Sequence, residues 1–171
     1  MLQKKINIDW KEKLSENPIK VDDIILSEII RNEDTSRFRI EKEYQNELLK
    51  YIDDIVYKLG FEKIHKIKQN FDIGYKKKRV KFDILITHID GTMTIIECKY
   101  SKDKSPSERL INQARGIGQV LLYGKIFESI IGVKPRLFLS DEKIEELVLN
   151  MLKEQKIGFI SLKDNRIFTM Y

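Results

Sequence analysis

Val80-Lys81-Phe82-Asp83-Ile84-Leu85-Ile86-Thr87, a turn at Asp90-Gly91, and then Thr92-Met93-Thr94-Ile95-Ile96-Glu97-Cys98-Lys99-Tyr100 are the stretch that decides how this chain folds. Both arms are rich in Ile and Val, as strands in the middle of a sheet are, and Asp-Gly is a strong two-residue hairpin signal. Ile95 and Ile96 occupy both faces of the second arm, which marks a central strand covered on both sides. Side chains alternate across a strand, so Glu97 and Lys99 share one face and Cys98 takes the other. A carboxylate and an ammonium in such a place are costly unless they pair, bind a metal or open to solvent. Asp83, on the first arm, comes level with Glu97 across the hairpin.

Outward from this hairpin the hydrophobic period changes. Residues 61–73 alternate apolar and polar as a strand does, and residues 74–79 read as a turn carrying Lys76, Lys77, Lys78 and Arg79. Before them an amphipathic helix is expected over 36–59. Tyr44, Leu48, Ile52, Ile55 and Leu59 recur at helical spacing, and Gly60 stops it. After the hairpin, Ser105, Pro106 and Glu108 make a capping box with proline at the first helical position. That helix should run to about Ser129, before Gly132 and Pro135. A strand over 136–139 follows, then a helix started by Ser140, Asp141 and Glu142 and reaching Gln155. Strands over 158–162 and 166–170 complete the chain. The order predicts an α/β domain with a mixed central sheet of about four strands flanked by helices. It occupies residues 36–171, with residues 1–35 as an N-terminal arm or small helical appendage. Residues 21–30 are a short helical candidate in that arm, and Trp10 is its expected anchor.

Composition narrows the chemistry. The 171 residues carry a net charge of +5 and a sequence pI near 9.1, which favours polyanions in a general way. No secretory leader and no apolar run of about 18 residues is present, so no membrane is expected and the cytoplasm is the default location. Cys98 is the single cysteine, and the two histidines, His65 and His88, are too few for a histidine centre. His88, beside the hairpin turn, reads as exposed. Any metal would be held mainly by oxygen.

Two close carboxylates repel, raise each other's pKa and invite a divalent cation. Such a cation polarises a phosphodiester and activates water, while a neighbouring lysine orients or deprotonates that water. Asp83, Glu97 and Lys99 are therefore a sufficient hydrolytic set. On the next helix, Gln119 and Tyr123 lie on one face, with Arg115 a turn earlier. Leu110, Ala114, Ile117 and Leu121 form the face expected on the sheet. Gly116 and Gly118 each weaken the helix by about 1 kcal/mol relative to alanine, so a close approach to sheet or ligand should explain them.

Asp83, thirteen residues, Glu97-Cys98-Lys99, then Gln119-Val120-Leu121-Leu122-Tyr123 resembles the D…(E/D)xK…QxxxY signature of the RecB-like subset of the PD-(D/E)XK nuclease superfamily. The resemblance covers roughly 100 residues and implies a restriction-endonuclease-like αβββαβ core. It implies Mg2+ (or Mn2+) bound by Asp83, Glu97 and the backbone of Cys98, with Lys99 assisting the attacking water. Gln119 and Tyr123 would support the site or hold DNA. Phe82 stands where the family name has proline. Many members add a carboxylate from the first helix, for which Glu47 is the choice, with Glu41 and Glu43 as alternatives. Lys102, Lys104, Arg109 and Arg115 are the expected nucleic-acid-binding residues, while the charged tip at 76–79 reads as solvated. The implied activity is DNA phosphodiester hydrolysis, with a homodimer or partner protein because one site cuts one strand. Two other readings use the same residues: an inactive nucleic-acid-binding module of this fold, and a structural or partner-binding domain in which Glu97 with Lys99, or Asp83 with Lys81, is only an ion pair.

Overall fold

The computed structural model describes residues 37–75, 78–163 and 166–170. The expected arm at 1–35 and the hairpin tip at Lys76 and Lys77 lie outside the described residues. Helices α1 (Arg37–Lys50) and α2 (Ile52–Lys58) lead into strands β1 (Ile64–Tyr75), β2 (Lys78–His88) and β3 (Met93–Cys98). Helix α3 (Pro106–Ile131), strand β4 (Arg136–Ser140), helix α4 (Glu146–Gln155) and strands β5 (Gly158–Lys163) and β6 (Arg166–Met170) follow. Helix, three strands, helix, strand is the αβββαβ order expected. The sheet has six strands in sequence order, more than the four foreseen, because β5 and β6 join it. It is mixed: β3–β4 and β4–β5 pair parallel, and the other neighbours antiparallel.

Helices cover both faces of the sheet. On one, Tyr44, Leu48, Ile52 and Ile55 pack on Ile84, Ile86, Ile96, Cys98 and Phe138. On the other, Ile117, Val120, Tyr123 and Phe127 of α3 pack on Phe82, Leu85, Ile95 and Leu139. All six residues of β3 are buried, as a strand covered on both sides must be. The single helix expected over 36–59 is divided at Tyr51. Its N–H bonds the Leu48 carbonyl three residues back, a tighter turn than the α-helix makes.

The α3 start is the capping box read from Ser105 and Glu108, and Gly132 closes the helix in the left-handed conformation (φ 71°). The face that α3 buries is turned from the one expected. Gln113, Gly116, Ile117, Val120, Tyr123 and Gly124 are buried, while Leu110 and Leu121 are only partly so. The helix expected to start at Ser140–Glu142 begins at Glu146 instead. The buried Asp141 carboxylate accepts N–H bonds from Ser101 and Glu142 and from Gln113 Nε2, so these residues tie a loop. His88 is buried rather than exposed. Its Nδ1–H donates to the Glu62 carbonyl (2.6 Å), which leaves Nε2 to accept from the Thr94 hydroxyl (2.9 Å). Among the described residues no helix is long and apolar enough to cross a membrane.

Candidate active site

A fork in the sheet creates the site. β2 pairs with β3 only from Thr87↔Met93 to Ile84↔Ile96, whereas β3 stays with β4 as far as Cys98↔Ser140. Continued one step, the β2–β3 register would set Asp83 opposite Glu97, the level foreseen from the hairpin. β2 instead leaves with β1, and the two strands twist together at that point. Asn70, opposite Asp83, has a left-handed φ of 46° and lies between the paired positions Gln69↔Ile84 and Phe71↔Phe82. Ile84 and Ile86 pack towards α1, but Val80 and Phe82 pack towards α3, so the buried face changes side at Asp83.

The fork strands backbone groups, and side chains take them. Cys98 N–H, which would have faced β2, donates to Asp83 Oδ2 (2.8 Å). Asp83 carbonyl accepts from Gln45 Nε2 of α1 (2.7 Å). Buried backbone groups need such partners, so these side chains complete the ladder where its strands part.

A cavity of about 460 Å3 opens in the fork. α1 contributes Glu41, Lys42 and Gln45, β1 contributes Asn70, and β2 contributes Lys81 and Asp83. Glu97 of β3, Lys99 just beyond it, and Gln119 and Tyr123 of α3 complete the wall. Five expected residues, Asp83, Glu97, Lys99, Gln119 and Tyr123, thus line one space. Gln119 Nε2 donates to the Tyr123 hydroxyl across one helical turn (3.4 Å). Lys99 Nζ donates to Glu97 Oε1 (2.7 Å) and lies 3.7 Å from Glu41 Oε1. Glu97 and Lys99 are buried, and Asp83 is partly open.

Charge governs this space. Burial and the nearby Asp83 carboxylate hold the Glu97 carboxyl well above the usual range, against the pull of Lys99. Asp83 is also raised, first by burial, although Lys99 and the Cys98 N–H oppose that. Glu41 is raised for the same first reason. Burial pulls the Lys99 ammonium down, but Glu97, Glu41 and Asp83 more than offset it and keep Lys99 charged. Lys99 therefore enters the site as a cation and donor. The Cys98 thiol lies in the core on the α1 face, away from Glu97 and Lys99, where burial pushes it up.

Other expected residues lie elsewhere. Glu47 pairs with Lys50 (2.5 Å) on the outer side of α1, and Glu41 is the helix carboxylate that reaches Lys99. Glu43 is exposed. Arg109 bonds Glu145 (2.5 Å) and the carbonyls of Ser101 and Lys104, which makes it a strut of the β3–α3 loop. Lys102 is mostly exposed, 4.0 Å from Glu142, and Arg115 is exposed on α3 outside the cavity lining. Lys104 is close enough to act electrostatically on Glu41. Gln45, Asn70, Lys42 and Lys81 were not foreseen. Glu41 and Gln45 continue the stripe of Tyr44 and Leu48 by one turn, so polar residues on a buried helical face were the available signal.

No family model and no curated protein matches the chain. Among solved structures it is similar to Can2 from Sulfobacillus thermosulfidooxidans, determined in complex with cyclic tetra-adenylate, at 12% identity and a TM-score of 0.49. The match covers 88% of this chain and 45% of that one, so the chain spans less than half of that protein's length.

Proposed function

We propose that this protein is a metal-dependent nuclease that hydrolyses DNA phosphodiester bonds in the fork between β2 and β3. The observation that carries the reading is the charge balance of the cavity. Glu41, Asp83 and Glu97 bring three carboxyls against the one Lys99 ammonium, in a place where burial disfavours uncompensated charge. An ion pair that merely steadied the sheet would need one carboxylate.

The donor chemistry fits Mg2+ or Mn2+. Among the described residues no three of His, Cys, Asp and Glu gather as a protein-only metal cage. A hard cation that keeps several waters needs only one or two carboxylates, and Asp83 and Glu97 would hold it with the Cys98 carbonyl. Bound there, the ion would lower the pKa of a water and draw charge from the phosphoryl oxygens. Lys99 would orient or deprotonate the attacking water and offset charge on the phosphoryl group. Gln119 and Tyr123 would add hydrogen bonds from the α3 wall.

The test is cleavage of plasmid and labelled oligonucleotides with Mg2+ or Mn2+, comparing wild type with Glu97→Ala and Lys99→Ala. Cleavage that needs metal and falls on the order of 10²–10³-fold or more in each folded variant is expected. Cleavage that survives both substitutions would place the chemistry elsewhere.

A further inference from the structure

The cavity is lined by the carboxyls of Glu41, Asp83 and Glu97 around the Lys99 ammonium, and these groups are the ones the nuclease reading uses. Two further lysines line the same cavity: Lys42 on α1, exposed, and Lys81 on β2, partly exposed and close enough to pull the Asp83 carboxyl down. Asn70 of the neighbouring edge strand β1 lines it too, with a left-handed backbone (φ 46°) opposite Asp83. Asparagine tolerates that conformation better than most residues, and such outliers gather at functional sites. The surface cations expected from sequence are poorly placed for the same task. Arg109 is committed to Glu145 and two carbonyls, and Arg115 is exposed outside the cavity lining.

We propose that Lys42, Asn70 and Lys81 form a phosphate-binding rim that grips the sugar–phosphate backbone beside the bond to be cut. The inference rests on the nuclease reading and adds the means by which the polyanion is held beside the site. Lysine ammoniums supply charge without geometry, and the Asn70 amide supplies a directional donor. Neighbouring phosphates are the ligand, so the rim holds the strand irrespective of base sequence.

The experiment is fluorescence anisotropy of labelled single-stranded and duplex oligonucleotides, with Ca2+ replacing Mg2+, from about 50 to 200 mM salt. Wild type is compared with Lys42→Ala/Lys81→Ala, with Asn70→Ala, and with the charge-matched control Lys125→Ala/Lys153→Ala on exposed helical positions. Each rim lysine lost should reduce the salt slope by about one, so the rim double variant should lose about two. Its affinity should fall on the order of tenfold at the low-salt end, while the control stays near wild type. Asn70→Ala should weaken binding with an unchanged slope, since it removes no charge. Thermal melts of all variants verify folding. Wild-type binding with a rim double variant that matches the control would overturn the rim alone. Failure of the folded wild type to bind any oligonucleotide would overturn the rim and the nuclease reading together.

Discussion

Gly116 is where the fold and the site press on each other, and alanine there is a quantitative probe. A Cβ at this position would lie 2.6 Å from Leu139 Cδ1 and 3.2 and 3.3 Å from Lys99 Cγ and Cε. Leu139 is fully buried between α3 and the sheet, in a close-packed layer with little room to move. Forcing in a methyl typically costs about 1–3 kcal/mol, and alanine's helix preference returns about 1 kcal/mol. Gly116→Ala should therefore lie between neutral and about 2 kcal/mol destabilising. Gly118 is the internal control, because a Cβ there meets nothing within 4 Å. Gly118→Ala should collect the full gain of about 1 kcal/mol. For a chain of this size each kcal/mol moves Tm by roughly 2–4 °C. The exposed glycine should raise Tm by that amount, and the buried one should leave it level or lower it by up to roughly 8 °C. The added methyl also pushes the Lys99 stem, and small misplacements of a catalytic group can cost on the order of 10² in rate. Thermal melts followed by initial cleavage rates below both transitions read the two effects separately. If Gly116→Ala raises Tm as much as Gly118→Ala and leaves cleavage intact, α3 does not approach Lys99 this closely.

Two other expectations follow from single contacts. Gln45→Ala removes the 2.7 Å bond to the Asp83 carbonyl and leaves a fork acceptor unpaired, so urea unfolding should report a loss of about 1–3 kcal/mol; an unchanged midpoint would refute the bond. Asp90, at the β2–β3 turn, is held below its ordinary 3.8 by hydrogen bonds from the Thr92 hydroxyl and N–H, so it adds stability above that value which is lost as pH falls through its folded pKa; the Tm advantage of wild type over Asp90→Asn should shrink towards pH 3 and below, and a constant gap would count against it.

Much of this was legible because the informative signals are local. Strand alternation put Glu97 and Lys99 on one face, Asp90-Gly91 set a register that levels Asp83 with Glu97, and Ser105 with Glu108 fixed the start of α3. What escaped depends on tertiary contact. Glu41, Glu43 and Glu47 all lie on one helix, and only the position of the fork beneath its first turns selects Glu41. The twist at Asn70 leaves no trace in the alternation of β1, because it changes which helix layer a strand residue meets without changing its polarity. The buried face of α3 was misjudged by weighting leucines over glycines. The close approach expected at Gly116 is there: Gly116 and Gly124 lie in the buried stripe because the helix runs close to Lys99, Leu137 and Leu139, and only Gly124 went unread. Gly118 fits no such account: its neighbourhood is open, and nothing in the structure explains it.

The fork also explains why the site residues are not equivalent as probes of chemistry. Where β2 and β3 part, Cys98 N–H loses its ladder partner and the Asp83 carboxylate replaces it, while Gln45 takes the Asp83 carbonyl opposite the left-handed Asn70. Those two side chains therefore hold the sheet together at the fork. Alanine at either of them unpairs a backbone group as well as altering the cavity, so lost activity there would not distinguish a catalytic role from local unfolding. Glu97 and Lys99 bear no such duty: each bonds the other and neighbouring carboxyls, and neither mends a break in the ladder. Their mutual bond offsets part of the cost of burying both charges, and removing either partner leaves the other buried and unpaired. Loss of cleavage in Glu97→Ala or Lys99→Ala therefore counts for the nuclease reading only in variants whose thermal melts show them folded, and the charge-removing but nearly isosteric Glu97→Gln, which can still bond Lys99, is the sharper probe.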